Sequence, residues 1–221
     1  MSCMRTCDLR QLHTVTYENG LKLQQRLAEM RQRDEIQDQL LLLEHPPVIT
    51  LGRGGDAKNL LASPEVLRQN RVRFFETTRG GDITYHGPGQ IVGYPIVHLG
   101  EGNRDVRKYV TNLEEVLIRT MSDFEIDAFR IEGLTGVHTR RGKIAAIGVH
   151  IARWVTTHGF ALNVNTDLRY FDLIIACDGE PATSMEELLG TETELSAVED
   201  RIAANFTEVF SYPCHPCLSV A

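Results

Sequence analysis

Between Arg104 and Phe124, Val106, Val110, Leu113, Leu117 and Met121 recur at the spacing of one helical face, which predicts an amphipathic helix. Thr16 to Arg33 shows the same period, with Leu23, Leu27 and Met30 on one side and Gly20 weakening its start. Ser63-Pro64 is a helix entry, a capping hydroxyl followed by proline at the first helical position. Ser184 to Leu189 and Glu194 to Phe210 read as closing helices, with a short helix around Asp167–Tyr170 before them. Apolar runs bounded by turn residues predict strands at Gln39–Glu44, Val48–Leu51, Val72–Thr77 and Ile91–Val97, and at about Ile126–Ile131, Lys143–Ala152 and Val155–Asn165. Pro95 suits an edge or a bulge. Paired strands interleaved with helices predict an α+β fold, a mixed β-sheet flanked by helices, rather than strict βαβ alternation. No repeat or linker breaks the pattern, so residues 1–210 are expected to form one domain and 211–221 a C-terminal tail.

Composition narrows the class. Hydrophobic residues make up 42% of the 221 residues and charged residues 24%, enough for a sizeable core. A formal net charge of −7 argues against nucleic acid or an anionic membrane as partner. No apolar run approaches the roughly 20 residues of a membrane span. Met1 to Arg10 has no apolar stretch after its charges, so no secretory signal is read there and the cytoplasm is expected. There the five cysteines stay reduced. Cys3, Cys7, Cys214 and Cys217 lie near the two ends. If the ends met they could build a four-sulfur zinc site, but Cys-x3-Cys is an imperfect spacing, and the expectation is solvated tails and no metal.

Four segments carry candidate chemistry. In Arg79-Gly80-Gly81-Asp82-Ile83-Thr84-Tyr85-His86-Gly87-Pro88-Gly89-Gln90, paired glycines let backbone approach a ligand, with Arg79 and His86 beside them. Glycine content alone fits a tight structural turn equally well, and the spacing matches neither a P-loop nor a dinucleotide fingerprint. Lys143 opens the apolar strand that holds Ala146, Ile147, Gly148 and His150. Such a lysine is most often solvated, but in a cleft it can act as a base or stabilise a thiolate. By period two His150 shares a face with Gly148, and Lys143 joins them only if a bulge intervenes. Gly159, before Phe160 and Ala161, marks a bulge or a close approach. Cys177 ends the run Ile174-Ile175-Ala176 and precedes Asp178-Gly179. A lone cysteine there is usually packing, though beside a cation its thiolate is available near neutral pH.

Taken together, RGGDITYHGPGQIVGYP, GKIAAIGVHI, THGFALNVNTDL and IIACDG followed by TSM resemble, in order, the blocks of the lipoyl(octanoyl) transferase family over about Leu41 to Leu189. The resemblance implies a fold similar to lipoate and biotin protein ligases and no cofactor. It implies transfer of an octanoyl group from octanoyl-acyl carrier protein to a lysine of lipoyl domains, those of 2-oxoacid dehydrogenase E2 subunits and glycine cleavage H protein. By position it makes Cys177 the acyl-accepting nucleophile and Lys143 the group that lowers its pKa. Arg79 to His86 become the substrate loop, and Ala146-Ile147-Gly148 and Gly159-Phe160-Ala161 further pocket walls. Two positions depart: His138 stands where tryptophan is common, and Ala176 and Asp178 flank the cysteine where Pro-Cys-Gly is commoner. An ATP-dependent ligase on the same fold would instead need a phosphate loop, for which Gly52-Arg53-Gly54-Gly55 is the candidate. A non-catalytic carrier-binding homologue would need neither Cys177 nor Lys143. An acidic carrier calls for a local basic patch, with Arg68, Arg71, Arg73, Arg104, Arg107, Lys108, Arg140 and Arg141 as candidates.

Overall fold

In the computed structural model, which describes residues 5–100, 104–176 and 179–216, the run Leu40–Leu43 lies in β2 (Asp38–Glu44) with every side chain buried. A strand without polar alternation needs apolar cover on both faces. Leu40 and Leu42 pack with Leu113 and Leu117 of α3 (Val106–Asp123) and Phe206 of α5 (Leu195–Phe210). Leu41 and Leu43 pack on the opposite face with Leu27 and Ala28 of α1 (Tyr17–Gln32). The helices begin where the sequence supplies caps: Thr16, Ser63 and Asp105 accept first-turn N–H groups of α1, α2 (Pro64–Gln69) and α3, and Ser184 does so for α4 (Met185–Leu189).

Among the described residues, eight strands form the main sheet. Their spatial order is β11 (Cys214–Pro216), β1 (Cys7–Thr14), β2, β6 (Gln90–Ile96), β10 (Val155–Asn163), β9 (Gly142–Ala152), β8 (Leu134–Thr139) and β7 (Phe129–Ile131). β1 runs parallel to both β2 and β11, and the remaining neighbours are antiparallel. A smaller sheet, β4 (Arg73–Glu76), β3 (Val48–Leu51) and β5 (Ile83–His86), builds its own core from Ile49, Ile83 and Tyr85 with Leu67 of α2. No helix among the described residues is long and apolar enough to cross a membrane.

Two expectations change. Pro95 sits in the centre of the sheet, opposite Leu40, not at an edge. The β6–β10 pairing ends at Gly93–Phe160, and Thr156 Oγ1 donates to the Pro95 carbonyl at 2.7 Å, so β10 asks for no N–H at Pro95. The expected C-terminal tail instead supplies β11, in which Cys214 is the in-register neighbour of Cys7. The hydrogen bond with Cys214, and then burial, push the Cys7 thiol's pKa up, which keeps it protonated. Cys3 and Cys217 lie outside the described residues. Among the described residues, no group of three or more His, Cys, Asp or Glu side chains is placed to hold a metal.

Candidate active site

Lys143 reaches its place through an irregularity. Val137 pairs with Ala145 but His138 pairs with Lys143, so β9 carries one extra residue at this point. Ile144 and Ala145 both face the core under α3, while Lys143, Ala146 and Gly148 line a cavity. The bulge on which the lysine's orientation depends is therefore present. The cavity measures about 920 Å³, and small-molecule sites span roughly 300–1,000 Å³. Val92, Tyr94 and Ala161 give it an apolar floor on the α1 face of the sheet, with Ile147, Phe160, Ile83 and Ile174 as further walls.

The loop at residues 79–82 is clamped between β9 and the turn after β3. Gly52, Arg53 and Gly54 donate their N–H groups to the carbonyls of Asp82, Arg79 and Gly81, and Gly80 donates to Val149. Gly148 permits this approach, because a β-carbon there would fall 2.7 Å from the Gly80 carbonyl oxygen. Arg79 is buried and donates to the Thr50 carbonyl, the Thr50 hydroxyl and the Gly80 carbonyl at 2.7 to 3.2 Å. Gly55 donates to Gly52, so all four N–H groups of Gly52–Gly55 are engaged within the protein.

Of the expected loop residues, Arg79, Gly81, Asp82, Ile83, Thr84 and His86 line the cavity. Gly80 is turned onto β9, and Tyr85 is buried in the small-sheet core, stacked on Tyr170 at 4.8 Å. Ala146, Ile147 and Gly148 line the cavity, as do Gly159, Phe160 and Ala161. His150 does not: it stands opposite Thr157 further along the ladder, outside the wall. Of the expected basic patch, Arg68 is paired with Glu65 and Arg73 with Glu18.

Cys177 lies outside the described residues, with Asp178. Ala176 before it and Gly179 after it both line the cavity. The chain is anchored on both sides by backbone. Ile174 bridges Leu60, and Ile175 N–H donates to the Asn59 carbonyl at 2.8 Å. Further on, Lys143 N–H donates to Pro181 at 2.8 Å and Thr183 N–H donates to Lys143 at 3.0 Å.

A polar network absent from the sequence reading ties the loop to the lysine strand. His86 Nδ1 donates to Gln90 Oε1 at 2.8 Å, Gln90 Nε2 to Asn163 Oδ1 at 2.9 Å, and Asn163 Nδ2 to the Thr183 carbonyl at 3.0 Å. His45 donates from Nδ1 to Val15 and accepts from the Tyr94 hydroxyl, at 2.6 and 2.7 Å. Burial pushes the pKa of His45 down to about 4, of His86 to about 3 and of His158 to about 4. The neighbouring Arg79 cation adds to the shift for His86 and His158. All three rings are therefore neutral at pH 7 and work as fixed donors and acceptors. Gln90 and Asn163 were visible inside the motifs, but only the fold shows that they meet.

The architecture is that of catalytic domains in solved lipoate and biotin ligases. A lipoate-protein ligase A bound with ATP superposes with a TM-score of 0.77 at 14% identity, covering 96% of this chain and 88% of its own. Biotin protein ligase from Aquifex aeolicus gives 0.53 at 12% identity, with 95% and 70% covered. At such identities the likeness establishes the fold. The chain belongs to the lipoyl protein ligase A/B catalytic domain family, whose model matches residues 16–207. It is 51% identical over 219 residues to the octanoyltransferase of Solibacter usitatus, covering 99% of each chain. It is 52% identical over 203 residues to that of Koribacter versatilis, covering 89% of this chain and 81% of the other.

Proposed function

We propose that this protein is an octanoyltransferase that moves an octanoyl group from octanoyl-acyl carrier protein to a lysine of lipoyl domains, through a thioester on Cys177. The lipoyl domains of 2-oxoacid dehydrogenase E2 subunits and glycine cleavage H protein are the proposed acceptors, and the cytoplasm the proposed location. One observation carries the reading: Lys143, six residues of the loop from Arg79 to His86, and Ala176 and Gly179 on either side of Cys177 line a single, mainly apolar cavity. The octanoyltransferase relatives, similar over most of the chain, point the same way.

The Cys177 thiolate attacks the thioester carbonyl, and the tetrahedral intermediate collapses with loss of the carrier thiolate, which takes up a proton. The octanoyl chain then lies on Cys177 along Val92, Phe160 and Ile147. Next, the neutral amine of the lipoyl-domain lysine attacks this thioester. An amide forms, the amine loses a proton, and the Cys177 thiolate leaves. Lys143 serves both steps as the cation beside the thiolate and as the group that exchanges the proton. Exchanging one thioester for another needs no ATP, and forming an amide makes the second step effectively one-way. The engaged N–H groups of Gly52–Gly55 weigh against the ligase alternative, because they do not offer a phosphate cradle.

The test is the intact mass of the protein after incubation with octanoyl-acyl carrier protein and no ATP. One octanoyl group on the Cys177 peptide, discharged when a lipoyl domain is added, is expected. An absolute need for ATP, or full activity in Cys177→Ala, would replace this reading with the ligase.

A further inference from the structure

We infer that Asn59 and Asp82 form a strut that sets the cavity wall at Ile174–Ala176 against the substrate loop, making both of them positioning residues for the acyl-accepting segment. This rests on the reading of Cys177, which follows Ala176 in sequence, as the acyl acceptor.

The strut joins two walls of the cavity that are distant in sequence. Asn59 ends a one-turn 3-10 helix, Ala57–Asn59, which the Asp56 side chain caps by accepting from Lys58 N–H at 2.9 Å. The Asn59 side-chain amide donates to Asp82 Oδ2 at 2.5 Å, and Asp82 Oδ1 accepts the Asp56 N–H at 3.2 Å. Both oxygens of the Asp82 carboxylate are thus directed at this turn. Asp82, expected as a substrate contact, lines the cavity and also holds its own loop. The backbone of Asn59 points the other way, where its carbonyl accepts the Ile175 N–H at 2.8 Å. The contact continues as a short zipper: Leu60 bridges Ile174, and the N–H groups of Leu61 and Ala62 both donate to Leu173 at 3.0 and 3.2 Å. One residue therefore grips the substrate loop with its side chain and the approach to Cys177 with its main chain.

The bond between amide and carboxylate is charge-assisted, and so stronger than one between two neutral groups. Reacting atoms must be held at about 3–3.5 Å, and a displacement of about 1 Å can cost about 10²-fold in rate. Loosening the strut is expected to slow acyl loading at saturating donor far more than it weakens donor binding.

The experiment is a pair swap in the full-length protein. Asn59→Asp sets two carboxylates against each other, and Asp82→Asn alone leaves two amides that still bond weakly. The double variant Asn59→Asp/Asp82→Asn restores an amide–carboxylate bond with the roles exchanged. Two rates are read by peptide mass spectrometry: octanoyl loading of Cys177 from carrier protein, and alkylation of the same residue by iodoacetamide. Asn59→Asp is expected to lower the maximal loading rate about 10- to 100-fold. The double variant is expected to return to within about threefold of the unaltered protein, a recovery that simple loss of packing would not give. If Asn59→Asp does not fold, Asn59→Ser and Asn59→Ala take its place, with loss expected in both. Wild-type loading in Asn59→Asp, or a double variant as slow as the single one, overturns the inference. Should the unaltered protein never load octanoyl, the functional reading fails on its own, and the alkylation rates still decide the strut.

Discussion

Gly136 lies directly against Lys143: a β-carbon built on it would fall 2.6 Å from Cε and 3.3 Å from Nζ. Its backbone, at φ +130, is held from behind, because its N–H donates to the buried Glu114 carboxylate at 3.1 Å and that carboxylate pairs with Arg130. Gly136→Ala should press on the Ala145 carbonyl oxygen, also 2.6 Å from the added β-carbon, as well as on the lysine, and lower transfer at least about tenfold in protein that still folds. Gly190→Ala is the control, since φ there is +73 and nothing lies within 4 Å of the added methyl. It should cost some stability and leave the transfer rate alone. Equal rates in the two variants would show that the contact with Lys143 has no functional weight.

Replacing Lys143 itself by Ala should slow acyl transfer about 10²- to 10⁴-fold, the range for a positioned acid or base. Lys143→Arg should recover only part, because a guanidinium keeps its proton near neutral pH. The direct check is the rate of Cys177 alkylation against pH. Its midpoint should move upward in Lys143→Ala, and an unchanged profile would uncouple the two groups.

The buried histidines set an acid limit. In the folded protein His45 and His158 titrate at about 4 and His86 at about 3, all below the unfolded value of about 6.5. Between those values the unfolded chain binds more protons, so stability rises with pH there. Their contribution is complete above about pH 6.5, is lost progressively as pH falls towards 4, and levels off below about 3. Thermal melts should show a melting temperature that drops across that window, with a shallower slope in His158→Gln. A flat curve from pH 6.5 to 4.5 would mean that these rings already carry protons in the fold.

Deleting residues 214–221 removes β11 and uncovers the edge of β1, including Cys7 and its contacts. The melting temperature should fall by at least about 3 °C. Transfer by the molecules that remain folded should change little, because β11 is separated from β9 by β1, β2, β6 and β10. A melting temperature equal to that of the full chain would restore the view of this segment as a tail.

The helices were legible because their period is long and repeated. Leu113, Leu117 and Met121 in α3 are fully buried, as the spacing predicts, while Val106 at its first turn is exposed. β1 escaped because only Cys7 and Leu9 alternate inward before the strand becomes exposed, too short a pattern to read. Within the motif from Arg79 to His86 every residue looked equally functional. The strand β5 sorts them, turning Tyr85 into the small-sheet core while Thr84 and His86 line the cavity. Lys143 was legible only conditionally, since its side depends on an extra residue that period-two counting cannot locate. The hydrogen bonds from Gln90 to Asn163 and from Asn59 to Asp82 join strands and turns far apart in sequence, where no local spacing records them.

The fixings on either side of Cys177 are main-chain bonds: Ile175 to Asn59 on one side, Pro181 and Thr183 to Lys143 on the other. Main-chain fixings do not depend on which side chains lie between them. Substitution in this interval is therefore expected to be cheap, which accords with Ala176 and Asp178 standing where the resemblance would imply proline and glycine. A library randomised at positions 176 and 178 should accordingly yield many active proteins, whereas glycine 136 and the hydrogen-bonding carbonyl partners of residues 143 and 175 set the geometry that selection must keep.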